Sequence, residues 1–288
     1  MFYPVDRVSF LIGAFRMDAS SPQFAQMKSA MKSTWMAGDF GEIAKYAARE
    51  GENFVARLQL KPGQKVLDVA CGTGNTAIPA ARTGADVIGV DIASNLLEQA
   101  RQRAAAENLS VKFQEGDAEE LPFGNAEFDV VITMFGAMFA PRPERTAAEL
   151  LRVCKHGGLI AMANWTPEGF VGKTFRATAE LAPPPPGVLP PVLWGDENVV
   201  RQRFSSGVAD LKTKKHTANF KFPFPPEKVV ALFRQYFGPT MMTYSRLDPA
   251  GQSQLTTVLE SLWREHNQAS GGNTRVEGEY LEVRVVPA

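Results

Sequence analysis

Cysteine is nearly missing from this 288-residue chain: only Cys71 and Cys154 occur. The absence of a Cys-x-x-Cys pair and of a Cys/His cluster at zinc spacing argues against a disulfide scaffold and a structural metal, and the chain reads as cytoplasmic, in a reducing setting. An excess of charge of one sign is missing too. The 31 basic and 31 acidic side chains cancel, so nothing draws the whole chain onto nucleic acid or an anionic membrane. A hydrophobic run of spanning length is also lacking. Residues 8–15 are too short to cross a bilayer, and with Arg7 alone before them and no small-x-small site after them they make a poor signal peptide. Met17 follows, so residues 1–16 read either as an extension upstream of the natural start or as an amphiphilic arm. There is no internal repeat.

What is present suffices for a sizeable core, with 44% hydrophobic and 22% charged residues. Up to about residue 60 the chain reads as helical, with Phe24, Met27, Met31 and Trp35 at spacings of three and four, a loop over 36–41, and a second helix over 43–58. From Lys65 short apolar runs alternate with helical stretches, the pattern of βαβ units and a parallel sheet. The predicted strands are 65–70, 86–91, 110–115, 128–134 and 159–165. Helices are predicted at 76–83, 95–108 and 143–154, the last ended by Lys155-His156-Gly157-Gly158. After Trp165 the composition shifts: Pro183 to Pro186, Pro190 and Pro191 predict a stiff loop from Trp165 to Trp194. Asp196 then caps a helix to about residue 204. A strand at 211–222, helices at 227–237 and 252–268, and a final strand at 280–286 follow.

The strongest chemical signal is Val66-Leu67-Asp68-Val69-Ala70-Cys71-Gly72-Thr73-Gly74-Asn75, an apolar strand carrying one acid that runs into a glycine turn. Glycines there permit positive φ and let a ligand approach the backbone, and the next helix offers free N–H groups to a carboxylate or phosphate. The second signal is Val87-Ile88-Gly89-Val90-Asp91, whose acid at the strand's carboxyl end suits two ribose hydroxyls. Both also fit a nicotinamide dinucleotide, since Gly72-x-Gly74-x-x-Ala77 satisfies the generic fingerprint. Glu115-Gly116-Asp117-Ala118 and Phe128-Asp129-Val130-Val131-Ile132 separate the two readings, because the dinucleotide reading leaves Gly116-Asp117-Ala118 unexplained. No Tyr-x-x-x-Lys pair supports an oxidoreductase either.

With these segments in order over residues 66–165, the chain resembles the class I S-adenosylmethionine methyltransferases, particularly the group that includes the quinone-biosynthesis C-methyltransferases. The resemblance implies an α/β, Rossmann-like sheet of seven mostly parallel strands, order 3-2-1-4-5-7-6 with the last strand antiparallel. It also implies an N-terminal helical segment over 1–60, a cofactor-binding core over 61–165, and a lid, helical insertion and final strands over 166–288. S-adenosylmethionine is the implied cofactor. Asp68, Gly72 and Gly74 would hold its methionine end, with Ala70 in the same set, Asp91 and Ile92 its ribose, and Asp117 and Ala118 its adenine. Thr133 and Met134 would lie beside the sulfonium. His156 departs from the proline common in relatives and reads as an exposed turn residue. Residues 133–136, Thr-Met-Phe-Gly, lack the Asn/Asp-Pro-Pro-aromatic tetrad of amino-group methylation of DNA bases, against a nucleic-acid substrate.

Trp35, Phe40, Phe135, Met138, Phe139 and the 165–194 loop are expected to wall a pocket for a small apolar or aromatic acceptor, although the same side chains also suit a core. His216, on the strand at 211–222, is the candidate general base, or else a solvated strand residue. Helices inserted before the final strand would shape substrate choice or a homodimer contact. A catalytically silent S-adenosylmethionine-binding module is the remaining alternative.

Overall fold

The computed structural model describes residues 22–185 and 188–288; the 8–15 run, the arm over 1–16 and Pro186 lie outside the described residues. Strands form where apolar residues crowd together: β1 (Lys65–Val69), β2 (Asp86–Asp91), β3 (Val111–Glu115), β4 (Phe128–Met134) and β5 (Cys154–Trp165), all parallel. Two long strands, β6 (Val208–Phe222) and β7 (Thr274–Pro287), complete one sheet of order 3-2-1-4-5-7-6, with β7 antiparallel to both neighbours. Val66, Leu67 and Val69 of β1 and Val131 and Ile132 of β4 are fully buried, as strands covered on both faces require. Edge strand β3 buries only Phe113.

Helices α1 (Pro22–Met36), α2 (Gly41–Ala44) and α3 (Ala48–Leu58) precede the sheet, and the single helix expected over 43–58 is broken at residues 45–47. The crossovers are α4 (Ala77–Arg82), α5 (Ser94–Ala106) and α6 (Pro143–Val153). Beyond β5 come α7 (Phe170–Leu181) and α8 (Glu197–Arg203), and between β6 and β7 lie α9 (Pro226–Tyr236), α10 (Gly238–Ser245) and α11 (Pro249–His266). The Asp196 carboxylate accepts from the Asn198 and Val199 amides at 2.9 and 3.1 Å, the cap expected for α8.

Three expectations are corrected. The 165–194 segment is not one loop: α7 occupies its first half, its Phe170 ring set edge-on against Trp263 of α11 at 4.6 Å. Helix α10 was not foreseen; its N-terminal Gly238 packs so closely on α1 that a Cβ there would meet the Thr34 carbonyl at 1.8 Å. Lys155 to Gly158 belong to β5 rather than to a helix-ending turn. Cys154 pairs with Phe128 and Leu159 with Val130, so the residues between bulge out of the strand, Gly157 at φ +69°.

The chain reverses direction of winding at β1, which lies between β2 and β4, so a crevice opens at the carboxyl ends of these strands. One apolar core fills the sheet faces, and a second, around Phe222, Val230, Leu255 and Trp263, joins β6 and β7 to α9 and α11. Among the described residues no helix is long and apolar enough to cross a membrane.

Candidate functional site

The crevice begins where β1 ends. Ala70, Gly72 and Gly74 take φ of +55°, +52° and +84°. A Cβ built on Gly72 would meet nothing within 4 Å, so the turn bares its backbone to the crevice, whereas Gly74 packs on Ile78. Asp68 lies under the turn with no exposure; Thr76 donates to its Oδ2 at 2.6 Å and Oδ1 has no partner among the described residues. Burial pushes this carboxyl up to about 7. Asp91, at the end of β2, accepts the Gly72 amide at 2.8 Å and the Ala93 amide at 2.9 Å, tying the glycine turn to the neighbouring strand. Burial raises its pKa against those hydrogen bonds. The Cys71 thiol is buried and held well above its usual range by burial and by Asp68, which disfavours the nucleophilic thiolate.

At the end of β3, Asp117 receives Lys28 of α1 at 2.6 Å and the Glu119 amide at 2.9 Å. Lys28 also reaches the fully buried Glu119 at 3.0 Å, which Arg142 holds at 2.9 Å, and Lys32 pairs with Glu115. The Phe24 ring lies 4.2 Å under the Arg142 guanidinium. Helix α1 is therefore pinned across the end of β3 by charge.

At the end of β4, Phe135 adopts φ +60° and stacks on Trp165 at 3.7 Å and 9°. A Cβ on the next residue, Gly136, would lie 2.4 Å from the Ala70 carbonyl oxygen. Two non-glycine residues in left-handed conformation, Ala70 and Phe135, thus sit at facing strand ends, the kind of strain that collects at functional sites. The far wall is aromatic, with Trp35 packed on Phe139, Phe237 and Phe40 at 4.9, 5.8 and 5.9 Å.

These parts enclose one cavity of about 320 Å³ running from Asp117 past Asp91 and Gly72 to Phe170, Phe233 and Trp263. Of the residues named from the sequence, Ala70, Gly72, Asp91, Ile92, Asp117, Ala118, Met134, Trp35, Phe40, Phe135 and Phe139 line it. Asp68, Gly74 and Thr133 support it from behind; the Thr133 hydroxyl accepts the Ala137 amide at 3.2 Å. Met138 does not reach the cavity, because it is packed into the main core at 2% exposure. His216 does not reach it either. It stacks on Tyr280 at 5.5 Å, 3.3 Å from Glu282, within a cluster in which Arg57 and Arg284 also hold Glu282 at 2.7 and 2.8 Å. Burial and the Arg57 charge lower its pKa.

Sequence reading placed the 165–194 segment in the wall without naming Phe170 or Phe175, and it named no wall residue of the α9 to α11 region, where Phe233, Phe237 and Trp263 line the cavity. Phe233 and Phe237, one helical turn apart, were the available signal. It also missed Asn75, which lines the cavity and whose amide donates to the Ala44 carbonyl at 2.8 Å, fastening α2 over the glycine turn. The loop at 36–41 is likewise fixed: the Asp39 carboxylate accepts from the Gly41 amide and from Gln99 at 3.0 and 2.8 Å, which sets Phe40 in the wall.

Residues 66–158 match the family described as "Methyltransferase domain". The Mycobacterium tuberculosis protein Rv1403c is 38% identical over 239 residues, covering 82% of this chain and 87% of that protein, and so extends well beyond the domain match. A demethylmenaquinone methyltransferase of Renibacterium salmoninarum is 39% identical over 105 residues, 36% of this chain and 43% of that protein. Among solved structures, YcgJ of Bacillus subtilis shares 18% identity with a TM-score of 0.58 over 83% of this chain and 98% of its own, a likeness of fold. The glycine turn and the acids at the ends of β2 and β3 fall within the matched domain, and the chain belongs to the class I S-adenosylmethionine-dependent methyltransferases.

Proposed function

We propose that the chain transfers a methyl group to a small, largely apolar or aromatic acceptor by in-line displacement. The observation that carries this reading is the continuity of the cavity: a polar end at Asp91, Gly72 and Asp117 opens directly into an aromatic chamber. Three features fit the cofactor: the open space beside Gly72, the unpartnered buried Asp68 oxygen, and the acids at the ends of β2 and β3. Asp68, Ala70, Gly72 and Gly74 would hold the methionine end, Asp91 and Ile92 the ribose, Asp117 and Ala118 the adenine, and Thr133 and Met134 the region beside the sulfur. Bound there, S-adenosylmethionine supplies a methyl group already activated on a sulfonium.

The protein's own work is positioning and drying. Trp35, Phe40, Phe135 and Phe139 exclude water and hold an apolar acceptor against the polar end, where alignment of the reacting atoms lowers the barrier. Among the described lining residues Asp91, Asp117 and the Cys71 thiol are ionisable; both acids are engaged by backbone amides or by Lys28, and burial favours the neutral thiol.

A labelled-methyl transfer assay on fractionated cell extract, with mass identification of the product, tests the proposal. Label in a neutral, organic-extractable product supports it. Tight cofactor binding without transfer to any fraction would favour the silent binding module, and label confined to nucleic acid would refute the acceptor class.

A further inference from the structure

Arg103, on α5, faces the back of the glycine turn. One of its guanidinium nitrogens donates to the Thr73 carbonyl at 2.6 Å, to the Asn75 side-chain oxygen at 2.8 Å and to the Thr73 hydroxyl at 3.1 Å. Thr73 and Asn75 both line the cavity. Every partner of Arg103 is thus a neutral oxygen. Glu107, the acid whose field favours its charge, is gripped by Arg82 at 2.7 and 2.8 Å instead. Burial pulls the Arg103 pKa down, against the field of Glu107.

A half-buried cation that no carboxylate among the described residues contacts, and that only the field of Glu107 favours, carries an electrostatic cost that a ligand's charge would offset. The nearby helix is a poor substitute for it as an anion holder, since α4 spans only six residues. The same end of the crevice already carries two acids, Asp68 and Asp91, which suit an ammonium and hydroxyls but would repel a carboxylate.

We infer that Arg103 is the positioning residue for the cofactor's carboxylate: it orients Thr73 and Asn75 toward the crevice and lends that wall a positive charge that no carboxylate among the described residues contacts, so that the site selects ligands bearing a carboxylate. The inference rests on the proposed placement of the methionine end at the glycine turn. It adds a selectivity that the wall residues alone do not give.

Calorimetric titration of S-adenosylmethionine and of its decarboxylated form, against the wild type, Arg103→Met and Arg103→Lys, tests it. The wild type is expected to prefer the carboxylate-bearing compound roughly ten-fold, the scale of one charge-assisted interaction. Arg103→Met collapses that preference through loss on the carboxylate-bearing compound alone, Arg103→Lys retains most of it, and rising salt shrinks it in the wild type. Equal losses for both ligands in Arg103→Met, or an unchanged preference in it, overturn the inference by assigning Arg103 a purely structural role. Should Arg103→Met fail to fold, the salt series and Arg103→Lys decide: a wild-type preference that ignores salt overturns it. A wild type that binds neither compound overturns the cofactor placement itself, which is a distinct result.

Discussion

At the scale of single residues, Asp68 is the most informative group. Its carboxyl, raised to about 7 by burial, is largely protonated in slightly acidic solution before ligand arrives. On the proposed placement of the methionine end, the ligand's ammonium acts on Asp68 through the glycine turn and favours the ionised form, so binding is expected to expel the proton. Affinity for S-adenosylmethionine is therefore full above about pH 7 and declines as pH falls, by up to about ten-fold per unit. Calorimetry from pH 5.5 to pH 8 should show this slope in the wild type and a flat profile in Asp68→Asn. The ligand-free protein gives the opposite sign. Because the folded-state pKa is above the unfolded value of 3.8, stability contributed by the protonated form is lost as pH rises toward 7, and Asp68→Asn should remove that loss in thermal melts. Asp68 was visible in the sequence as an acid inside an apolar strand. Arg103 was not, since an arginine in Arg101-Gln102-Arg103 reads as solvated helix surface, and only the packing of α5 against the glycine turn gives it partners.

Among the elements, α1 is weakly anchored by apolar burial, with Phe24 its only buried side chain. Its hold on the sheet comes through Lys28 and Lys32 on the acids that follow β3. Lys28→Met should speed dissociation of S-adenosylhomocysteine by roughly five-fold, about 1 kcal/mol, in stopped-flow measurements. The wild-type rate should rise with salt more steeply than that of the variant, which keeps the exposed Lys32–Glu115 pair. The strands were legible because β1, β4 and β5 are dense in fully buried apolar residues, and α8 because Asp196 caps it. Helix α7 was illegible for a physical reason. It contains Gly172, Thr174 and Thr178, weak helix formers, and owes its shape to Phe170 packing on Trp263, almost a hundred positions away. The bulge before Leu159 was hidden because a basic, glycine-rich turn looks the same whether it ends a helix or kinks a strand.

At the scale of the whole molecule, the polar end of the cavity comes from consecutive strand ends, and the aromatic end from segments scattered between residues 35 and 263. That is why residues for the proposed cofactor end could be named one by one from motifs, while the proposed acceptor end was legible only as aromatic content. His216 was a poor candidate for a local reason: Phe220 of the same strand lines the cavity, but His216 faces Tyr280 and Glu282 instead. Trimming the chamber wall should separate binding from turnover. Trp35→Ala is expected to leave S-adenosylhomocysteine affinity within about two-fold while lowering kcat/KM for the physiological acceptor by at least ten-fold, since it removes acceptor packing and not a cofactor contact. A crystal structure grown with S-adenosylhomocysteine addresses the central claim most directly. The expected result is adenine beside Asp117, ribose hydroxyls on Asp91, and the sulfur directed at the space between Met134, Phe135 and Trp35. An empty crevice, or the compound bound away from Gly72 and Asp91, would contradict it.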